Sequence, residues 1–339
     1  MKTLKLALIG FGSAAQGFAR LLLDKDRWIQ EKFGVKVLCT AIAGSRKGAL
    51  LNNEGIDLAV VLDNLCNNTR FENALGLDSF QVLEQAEAHA AIELSPLSIK
   101  DGQPAIDHIK RAFSRGMHVI TANKGPIAWA FDELRQLAAK GGLAFLYETT
   151  VMDGAPVFNL AEFSLAGCEI LAFEGILNTT TNFILAEIEA GRSFDGAVKE
   201  AQKQGFAEAD PSMDIKGMDG AAKTCAIANA LMGANLTPGM IKTEGIEGIT
   251  AADLGAARAR GSTIKVLCRG FREDGAVRGA VGPAEVPLTH PFATVSGTSS
   301  VLSLDTDLMG RITIIEHNPM IEQTAYGLYS DLLRLIRGV

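Results

Sequence analysis

The residues best suited to chemistry are concentrated in one charged segment, GFAEADPSMDIKGMDGAAK, at residues 205–223. This segment carries four carboxylates, on Glu208, Asp210, Asp214 and Asp219, and closes with the ammonium group of Lys223. Carboxylates around a single ammonium group suit a small zwitterionic substrate, because they can hold its amine while the lysine faces an oxygen that gains negative charge. The segment therefore predicts a site for a small amino-acid-like molecule.

An ordinary structural role is also open for these residues. Pro211 and the glycines predict a loop for the first half of the segment, and the pattern from Gly217 onward predicts a buried helix. Asp219 and Lys223 share one face of that helix, where a plain surface ion pair would contribute about 0.3–0.5 kcal/mol. Asp210 before Pro211 could simply begin a helix.

The chain begins with the pattern of a dinucleotide-binding unit. A short apolar strand, Leu4–Ile9, runs directly into GFGSAAQG, and a helix is expected over Ala14–Leu23. The first glycine permits a tight turn, the second lets a pyrophosphate approach the backbone, and the helix start offers N–H groups to the phosphates. A glycine turn in some other α/β fold is the alternative. The residues predicted to contact the cofactor here are Gly10, Phe11, Gly12, Ser13, Ala14 and Ala15.

The residues after the second predicted strand bear on which dinucleotide is bound. NAD enzymes commonly have a carboxylate there, which binds the adenosine ribose. This chain has Gly44, Ser45, Arg46 and Lys47 instead. Two cations and a hydroxyl suit a 2′-phosphate, so the sequence favours NADP, with NAD still possible. A basic surface turn is the alternative.

Two further residues are expected at the cofactor because of where their strands end. Ligands of parallel α/β sheets bind at the carboxyl ends of the strands. Ser95 follows the strand predicted at Ala90–Leu94, and Lys124 follows the strand predicted at His118–Thr121. A solvated lysine just before a helix is the alternative interpretation of Lys124.

The arrangement of strands and helices changes along the chain. Over the first part they alternate, which predicts an α/β fold with a Rossmann-type parallel sheet and helices on both faces. Residues 44–77 are weakly patterned. The other strands expected in this part are Val35–Ala43, Ala90–Leu94, His118–Thr121 and Leu143–Tyr147. The other expected helices are Ser79–Ala88, Pro104–Arg115 and Pro126–Lys140.

After about residue 148 the pattern is that of a mixed α+β domain. Helices are expected at 154–165, 180–191, 195–204 and 217–233, and strands at 169–177, 262–272, 276–286, 299–305 and 311–316. A last helix, 321–336, is expected to pack back on the first domain. We therefore predict a dinucleotide-binding domain at 1–147, a second domain at 148–320 and the terminal helical segment at 321–339.

The composition argues against several other classes of protein. Of the 339 residues, 47% are hydrophobic and 21% are charged, and the formal net charge is −7. Without a basic run or patch, nucleic acid is not an expected partner. No apolar run approaches the roughly 20 residues that cross a membrane, and no signal peptide is recognisable, so we expect a cytoplasmic protein. The five scattered cysteines argue against zinc and against a disulfide framework.

Six segments together resemble the homoserine dehydrogenases. They are GFGSAAQG, HVITANKGPIA, YETTVMDGAP, EGILNTTTNFIL, GFAEADPSMDIKGMDGAAK and HPFATVSGTSS, in family order across nearly the whole chain. The resemblance implies a Rossmann domain followed by a domain for substrate binding and dimerisation, and so a homodimer. It also implies reversible hydride transfer between NAD(P)H and the aldehyde carbon of aspartate 4-semialdehyde, giving homoserine in the biosynthesis of threonine and methionine.

The same resemblance implies roles for individual residues. Lys223 would donate a proton or stabilise the alkoxide, Glu208 and Asp219 would bind the amino and hydroxyl end of the substrate, and Asp214 would support them. Lys124 would contact the cofactor and could reach the substrate. The residues implied to lie against the nicotinamide half are Ser95 and Gly205.

A monovalent cation, Na⁺ or K⁺, is also implied by the resemblance. Its ligands would be the carboxylate of Glu148 and the backbone carbonyls of Val151, Asp153 and Ala155. From the residues alone, Glu148 is only a carboxylate at a strand end, which could equally cap a helix or form an ion pair.

The chain departs from the family pattern at several places. Val151–Gly154 stands where a VGGG-like run is usual, Thr179 replaces a glycine, and Ala15 replaces the third Rossmann glycine. The late glycine-rich loop is replaced by residues 315–320, IEHNPM, whose bulk and charge could narrow the nicotinamide pocket or change the substrate. Neither a regulatory threonine-sensing domain nor an aspartokinase fusion is expected.

Two other functions therefore stay open. One is a related dehydrogenase with a different small carbonyl or amino-acid substrate, suggested by the replacement at residues 316–320 and by Asp153. The other is a non-catalytic dinucleotide-binding homologue. The intact set of Glu208, Asp219 and Lys223 argues against the second, because a pure binder needs no proton donor.

Overall fold

The computed structural model describes residues 1–98 and 100–338, and the chain divides into two compact units. The first unit comprises Met1–Pro126, Ala130–Pro156 and Ile321–Val339, and the second comprises Ile127–Trp129 and Val157–Met320. Both ends of the sequence thus belong to the first unit. The domain boundaries expected after residues 147 and 320 stay predictions.

The first unit is built on a six-stranded sheet whose order is β3-β2-β1-β4-β5-β6. Its strands are β1 Lys2–Ile9, β2 Val35–Gly44, β3 Gly48–Leu51, β4 Ala90–Glu93, β5 His118–Thr121 and β6 Phe145–Leu146. All neighbouring pairs are parallel except β2 and β3, which are antiparallel. The Rossmann-type parallel sheet predicted from the sequence is confirmed, with an antiparallel edge strand that was not expected. The turn between β2 and β3 is too short for a parallel crossover, so β3 folds back beside β2.

Five helices of this part of the chain follow the sequence pattern in all but one case. They are α1 Ser13–Phe33, α2 Leu58–Asn67, α3 Ser79–Gln85, α4 Ala105–Ser114 and α5 Lys124–Gly141. The sequence pattern predicted no helix within residues 44–77, and this was wrong for α2. Its signal was Asp57, whose side chain accepts hydrogen bonds from the N–H groups of Ala59 and Val60, with Leu58, Val61 and Leu62 forming one buried face.

The core of the first unit lies between the sheet and α1. Phe18 and Leu22 of α1 pack with Leu6 and Leu8 of the central strand β1, and all four are less than a tenth exposed. Truncating a buried Phe of this kind to Ala typically costs about 3–5 kcal/mol. This packing fixes the carboxyl ends of the strands as a rigid edge.

The second unit is built on another six-stranded sheet, with the order β12-β11-β7-β9-β10-β8. Its strands are β7 Ile170–Ile176, β8 Lys242–Thr243, β9 Ser262–Glu273, β10 Ala276–Pro287, β11 Ser300–Thr306 and β12 Gly310–Glu316. Its helices are α6 Thr179–Glu189, α7 Phe194–Lys203, α8 Ser212–Ile215, α9 Met218–Met232 and α10 Ala251–Ala259. The pairs are antiparallel apart from β8 and β10.

Two expectations for the second part of the chain were incomplete. The regular helix expected at 154–165 is wrong, because turns occupy its beginning, Pro156 lacks an N–H donor, and the helical part is π-type over Leu160–Ser164. The helix α10 was missed, although Thr250 and Asp253 form a capping box at its start.

The helix α9 packs closely on the second sheet at Gly220. A Cβ atom on Gly220 would come within 2.9 Å of Val281 Cγ1 and 3.0 Å of Cys268 Sγ. The backbone of α9 can therefore approach β9 and β10 closely, which fixes the first turn of this helix and the side chains that it carries.

The C-terminal helix, α11, Ile321–Arg337, packs on α1 in the first unit. Ala325, Leu328 and Leu332 join the core around β1. Gly327 faces the turn after β6, where a Cβ atom would lie 2.6 Å from Thr149 Cβ. No helix in the described residues is both long enough and apolar enough to cross a membrane.

We expect Gly327→Ala to destabilise the protein by about 1–3 kcal/mol, because well-packed sites tolerate an added methyl group poorly. The added carbon would also lie 2.8 Å from the carbonyl oxygen of Asp153. Gly255→Ala in α10 is the control, since a Cβ atom there meets nothing within 4 Å. Helix propensity predicts that this control stabilises by up to about 1 kcal/mol. Urea unfolding, followed by circular dichroism, measures the free energy of unfolding of both variants. An equal change in the two would contradict the close docking of α11.

Candidate functional site

A cleft of about 700 Å³ lies in the first unit at the carboxyl ends of β1, β2 and β4. A smaller cleft of about 310 Å³ is lined by Gly12, Ala15, Ser95 and Lys124 among others. The predicted cofactor residues that line one cleft or both are Gly10, Phe11, Gly12, Ser13, Ala14, Ala15, Ser45, Arg46, Lys47, Ser95 and Lys124. Gly205, the remaining one, lies in the second unit after α7, with φ of 78°.

The two glycines after β1 have different physical roles. Gly10 has φ of 100°, and a Cβ atom there would lie 2.2 Å from the carbonyl oxygen of Leu94, so the turn itself requires glycine. Gly12 precedes α1, and a Cβ atom there would meet no protein atom within 4 Å. Gly12 borders both clefts. Its missing side chain therefore leaves room for a ligand at the start of α1, as a dinucleotide pyrophosphate requires.

A third cation, Arg70, borders the large cleft together with Arg46 and Lys47. The neighbouring Phe71 places it there. The Phe71 N–H donates to the carbonyl of Lys47 at 3.0 Å, and the Phe71 ring packs edge-on against Phe11 with ring centroids 5.6 Å apart. Sequence reasoning missed Arg70, because it lies in the weakly patterned segment 44–77 and only the long-range contact of Phe71 brings it to β2.

A buried carboxylate, Glu93 at the end of β4, organises the floor of this cleft. It is 1% exposed and accepts hydrogen bonds from the Ser95 N–H at 3.1 Å and from the Ser95 hydroxyl. The Thr121 hydroxyl lies 3.2 Å from its second oxygen. His108 Nδ1 lies 3.3 Å from Glu93 Oε1, and His108 Nε2 lies 2.7 Å from the Ser79 hydroxyl.

The polar network of Glu93 extends to the loop that carries Lys124. Asn123 donates its N–H to the Thr121 hydroxyl at 3.0 Å and its amide N–H to the carbonyl of Ser95 at 3.1 Å. Its side-chain oxygen accepts from the Gly125 N–H and so caps α5. The loops after β4 and β5, which carry Ser95 and Lys124, are therefore held to each other by a partly buried hydrogen bond from Asn123 to Ser95.

In the second unit, the structure brings together Asp214, Asp219 and Lys223. Lys223 Nζ donates to the carbonyl oxygen of Leu177 at 2.6 Å and lies 4.0 Å from Asp219 Oδ2. The side chains of Lys223 and Asp219 are 19% and 14% exposed. The plain surface ion pair that the sequence left open is thus not what forms, because a backbone carbonyl at the end of β7 also holds the lysine.

Asn178, which sequence reasoning missed as a functional residue, lies between the two aspartates of this cluster. Its amide donates to Asp214 Oδ1 at 2.7 Å and to Asp219 Oδ2 at 3.1 Å. The Thr180 hydroxyl lies 3.2 Å from Asp214 Oδ2. The only local signal was a helix-capping asparagine ahead of α6, which says nothing about partners 36 and 41 residues away.

The other two carboxylates of the charged segment lie outside this cluster. Asp210 accepts the N–H of Ser212 at 3.1 Å. The N-cap residue of the short helix α8 is Pro211, so the interpretation in which Asp210 caps a helix with Pro211 in its first turn is wrong. Hydrogen bonding by Ser212 lowers the pKa of the Asp210 carboxyl. Glu208 is exposed on the same loop, and its backbone carbonyl accepts from the side chain of Gln202.

The buried cysteine thiols of the second unit at Cys225 and Cys268 offer no nucleophile. Burial raises the pKa of the Cys225 thiol and of the Cys268 thiol to about 12. Both therefore stay protonated near neutral pH, and a protonated buried thiol is chemically inert. The ammonium group of Lys223 and the two aspartates remain as the reactive groups of the cluster.

The residues expected to hold a cation lie in the first unit, in the turn after β6. The carboxylate of Glu148 is 2% exposed, and its backbone N–H donates to Asp331 of α11 at 2.9 Å. Val151 and Ala155 are buried. Asp153 has φ of 42°, and its carboxylate accepts from the Thr324 hydroxyl at 2.7 Å. One carboxylate and several backbone carbonyls would be an all-oxygen donor set, which is the kind that hard cations prefer.

The chain is similar to known homoserine dehydrogenases. The family model described as homoserine dehydrogenase matches residues 156–333. A homoserine dehydrogenase of Methanocaldococcus jannaschii is 36% identical over 97% of this chain and 98% of that protein. The crystal structure of a putative homoserine dehydrogenase from Archaeoglobus fulgidus is 33% identical, with a TM-score of 0.89, over 98% of this chain and 99% of that one.

The chain belongs to the homoserine dehydrogenase family. It is therefore an oxidoreductase that acts on a CH–OH group. One similar member of the homoserine dehydrogenase family is described with its cofactor. A protein of Pseudomonas canavaninivorans, 33% identical over 99% of this chain and 97% of that protein, is described as an NAD⁺-dependent homoserine dehydrogenase. The NADP preference inferred from Arg46 and Lys47 is thus not settled by family membership.

Residues 315–320, which the resemblance implies to stand in place of a glycine-rich loop, run from the end of β12 through a bend at Asn318. Asn318 has φ of 48° and donates its N–H to the Ser299 hydroxyl at 3.1 Å. Pro319 is buried, whereas His317 is exposed. The replacement is therefore tied to the HPFATVSGTSS segment, and its effect on substrate choice stays a prediction.

We expect Glu93→Ala to lower the free energy of unfolding by about 3 kcal/mol or more, because buried donors on Ser95, Thr121 and His108 lose their acceptor. Glu84→Ala is the matched control. It removes an exposed ion pair with Arg111 and should cost about 0–1 kcal/mol. Urea unfolding measures both, and equal losses for the two variants would contradict the organising role of Glu93.

Proposed function

We propose that the protein catalyses the reversible interconversion of aspartate 4-semialdehyde and homoserine with NADP as the preferred cofactor. The observation that carries this proposal is the cluster of the second unit, in which Lys223 is held by a backbone carbonyl beside two aspartates. Such a cluster offers both a proton donor for a carbonyl oxygen and anionic groups for an amino acid.

Lys223 is the proposed proton donor. An ammonium group has three N–H donors, and one of them is used on the carbonyl of Leu177 at 2.6 Å. That hydrogen bond fixes the position of Nζ, while the carboxylate of Asp219 at 4.0 Å attracts its charge. A remaining N–H can then point at the substrate oxygen, where negative charge develops during the reaction.

The chemical step is a reduction of an aldehyde to an alcohol. When bound, the reduced nicotinamide supplies a hydride to the aldehyde carbon. Lys223 gives a proton to the carbonyl oxygen as the C=O bond becomes C–OH, and its amine then regains a proton from solvent. In the reverse direction the neutral amine accepts the hydroxyl proton. Asp214, Asp219 and the exposed Glu208 are proposed to hold the amino and hydroxyl end of the substrate, and Gly205 to lie against the nicotinamide.

The preference for NADP is supported by the three cations around the large cleft. Arg46 and Lys47 follow β2, and Arg70 is held beside Lys47 by the hydrogen bond of Phe71. A 2′-phosphate would meet guanidinium and ammonium groups there, which form strong charge-assisted hydrogen bonds. Lys124 and Ser95 are proposed to contact the nicotinamide half.

The remaining proposals rest on the family resemblance and on donor chemistry. A monovalent cation would be held by the Glu148 carboxylate and by the backbone carbonyls of Val151, Asp153 and Ala155. The protein is proposed to act as a homodimer in the cytoplasm. Neither proposal is needed for the proton-transfer role of Lys223.

We expect Lys223→Met to lower kcat for NADPH oxidation with aspartate semialdehyde by about 10²–10⁴-fold, because general acid catalysis contributes rate factors of that order. Lys216→Met, an exposed lysine of the same segment, is the control and should keep the wild-type kcat. The loss of NADPH absorbance measures both rates. A Lys223→Met variant with full activity would disprove the mechanism.

We expect Arg70→Ala and Arg46→Ala each to raise KM for NADPH about tenfold or more, since a hydrogen bond to a charged group contributes about 1.5–3 kcal/mol. KM for NADH should stay unchanged, because NADH has no 2′-phosphate. Arg27→Ala on α1, whose side chain is 89% exposed, controls for the loss of a positive charge. Equal effects on the two cofactors would show that these residues do not recognise the phosphate.

A further inference from the structure

We infer that Asn178 positions both aspartates of the second-unit cluster by donating hydrogen bonds to them, in addition to capping α6. Asn178 is thus a positioning residue, which acts through Asp214 and Asp219. The inference rests on the proposed function, because it assigns a role in the binding of the same substrate.

The amide of Asn178 has a complete set of strong partners. Its oxygen accepts from the N–H of Thr181 and from the hydroxyl of Thr181, both at 2.9 Å. Its nitrogen donates to Asp214 Oδ1 at 2.7 Å and to Asp219 Oδ2 at 3.1 Å. The side chain is only 9% exposed, so water cannot easily replace these partners.

These partners also determine which way the amide points. In the flipped orientation, the oxygen would face two carboxylates and the NH₂ group would face the N–H of Thr181. Both contacts would be repulsive. The network therefore fixes the two donors of Asn178 toward Asp214 and Asp219, which belong to different helices, α8 and α9.

An uncharged donor suits this position better than a charged one. Two carboxylates that approach one amide repel each other, and a bridging donor offsets that repulsion. A lysine or arginine in place of Asn178 would offset it too, but would compete with the amine of the substrate for the same carboxylates. An amide holds both groups in place without adding a positive charge that would compete with the amine of the substrate.

The same turn of the backbone serves the lysine as well. Leu177, whose carbonyl accepts from Lys223 Nζ at 2.6 Å, directly precedes Asn178. Thr180 follows, and its hydroxyl lies 2.6 Å from the carbonyl of Phe206 and 3.2 Å from Asp214 Oδ2. The turn between β7 and α6 thus sets the distance between the proton donor and the anionic groups.

Two variants separate the donor role of Asn178 from its role as a cap. Asn178→Asp keeps a good cap, because Asp is as favourable as Asn at this position, but replaces the donor by a third carboxylate. Asn178→Ser also keeps a capping oxygen, and its side chain is too short to reach both aspartates. Ser193→Ala removes the cap of α7 in the same unit and is the control for a loss of helix stability.

We expect Asn178→Asp to lower kcat/KM for aspartate semialdehyde by about 10²-fold and Asn178→Ser by about tenfold. KM for NADPH should stay within about twofold of the wild type in both. The midpoint of thermal unfolding should fall in Asn178→Asp, because a third carboxylate is added beside two others, and should lie closer to the wild-type value in Asn178→Ser. Ser193→Ala should lower that midpoint and leave both KM values unchanged.

The inference is overturned if Asn178→Asp keeps the wild-type kcat/KM, since capping alone would then explain the residue. If Asn178→Asp does not fold, Asn178→Ser is the deciding variant. A wild-type kcat/KM for Asn178→Ser would then overturn the inference. Failure of the proposed function would instead show as a Lys223→Met variant as active as the wild type, so that the two failures are distinguished by different variants.

Discussion

The chemistry of this protein depends on one constraint, which is that polar groups removed from water must find partners. In the second unit, the carbonyl of Leu177 lies at the end of β7, and the amide of Asn178 lies beside it. The ammonium group of Lys223 and the carboxylates of Asp214 and Asp219 supply the partners that these groups need. The hydrogen bonds that give the polar groups of this turn their partners are therefore the same ones that place the reactive groups.

The first unit follows the same principle with a different residue. Glu93 is buried at the end of β4, and its carboxylate collects donors from the loops that border the cleft. Asn123 links these loops, with its N–H on Thr121 and its amide on Ser95. In both units, a side chain at the carboxyl end of a strand holds the loops that carry the functional residues. A rigid set of loops loses little entropy when a ligand binds.

Much of the fold was predictable because local patterns and tertiary packing agree. The strand β5 and the parallel core of the first sheet follow directly from short apolar runs between helical patterns. The elements that the sequence analysis did not predict have local causes. The helix α2 has a weak pattern but a clear Asp57 cap, and β3 pairs with β2 because the turn between them is short.

The site was predictable only in part. The sequence by itself determined the glycine turn after β1 and the i, i+4 pair of Asp219 and Lys223, because both depend on residues close together in the chain. Tertiary structure alone decided the partners of Asn178, the arrival of Arg70 beside Lys47 and the exclusion of Asp210 from the cluster. Those outcomes depend on which strand ends and helix starts become neighbours, and that is set by packing of the whole unit rather than by spacing along the chain.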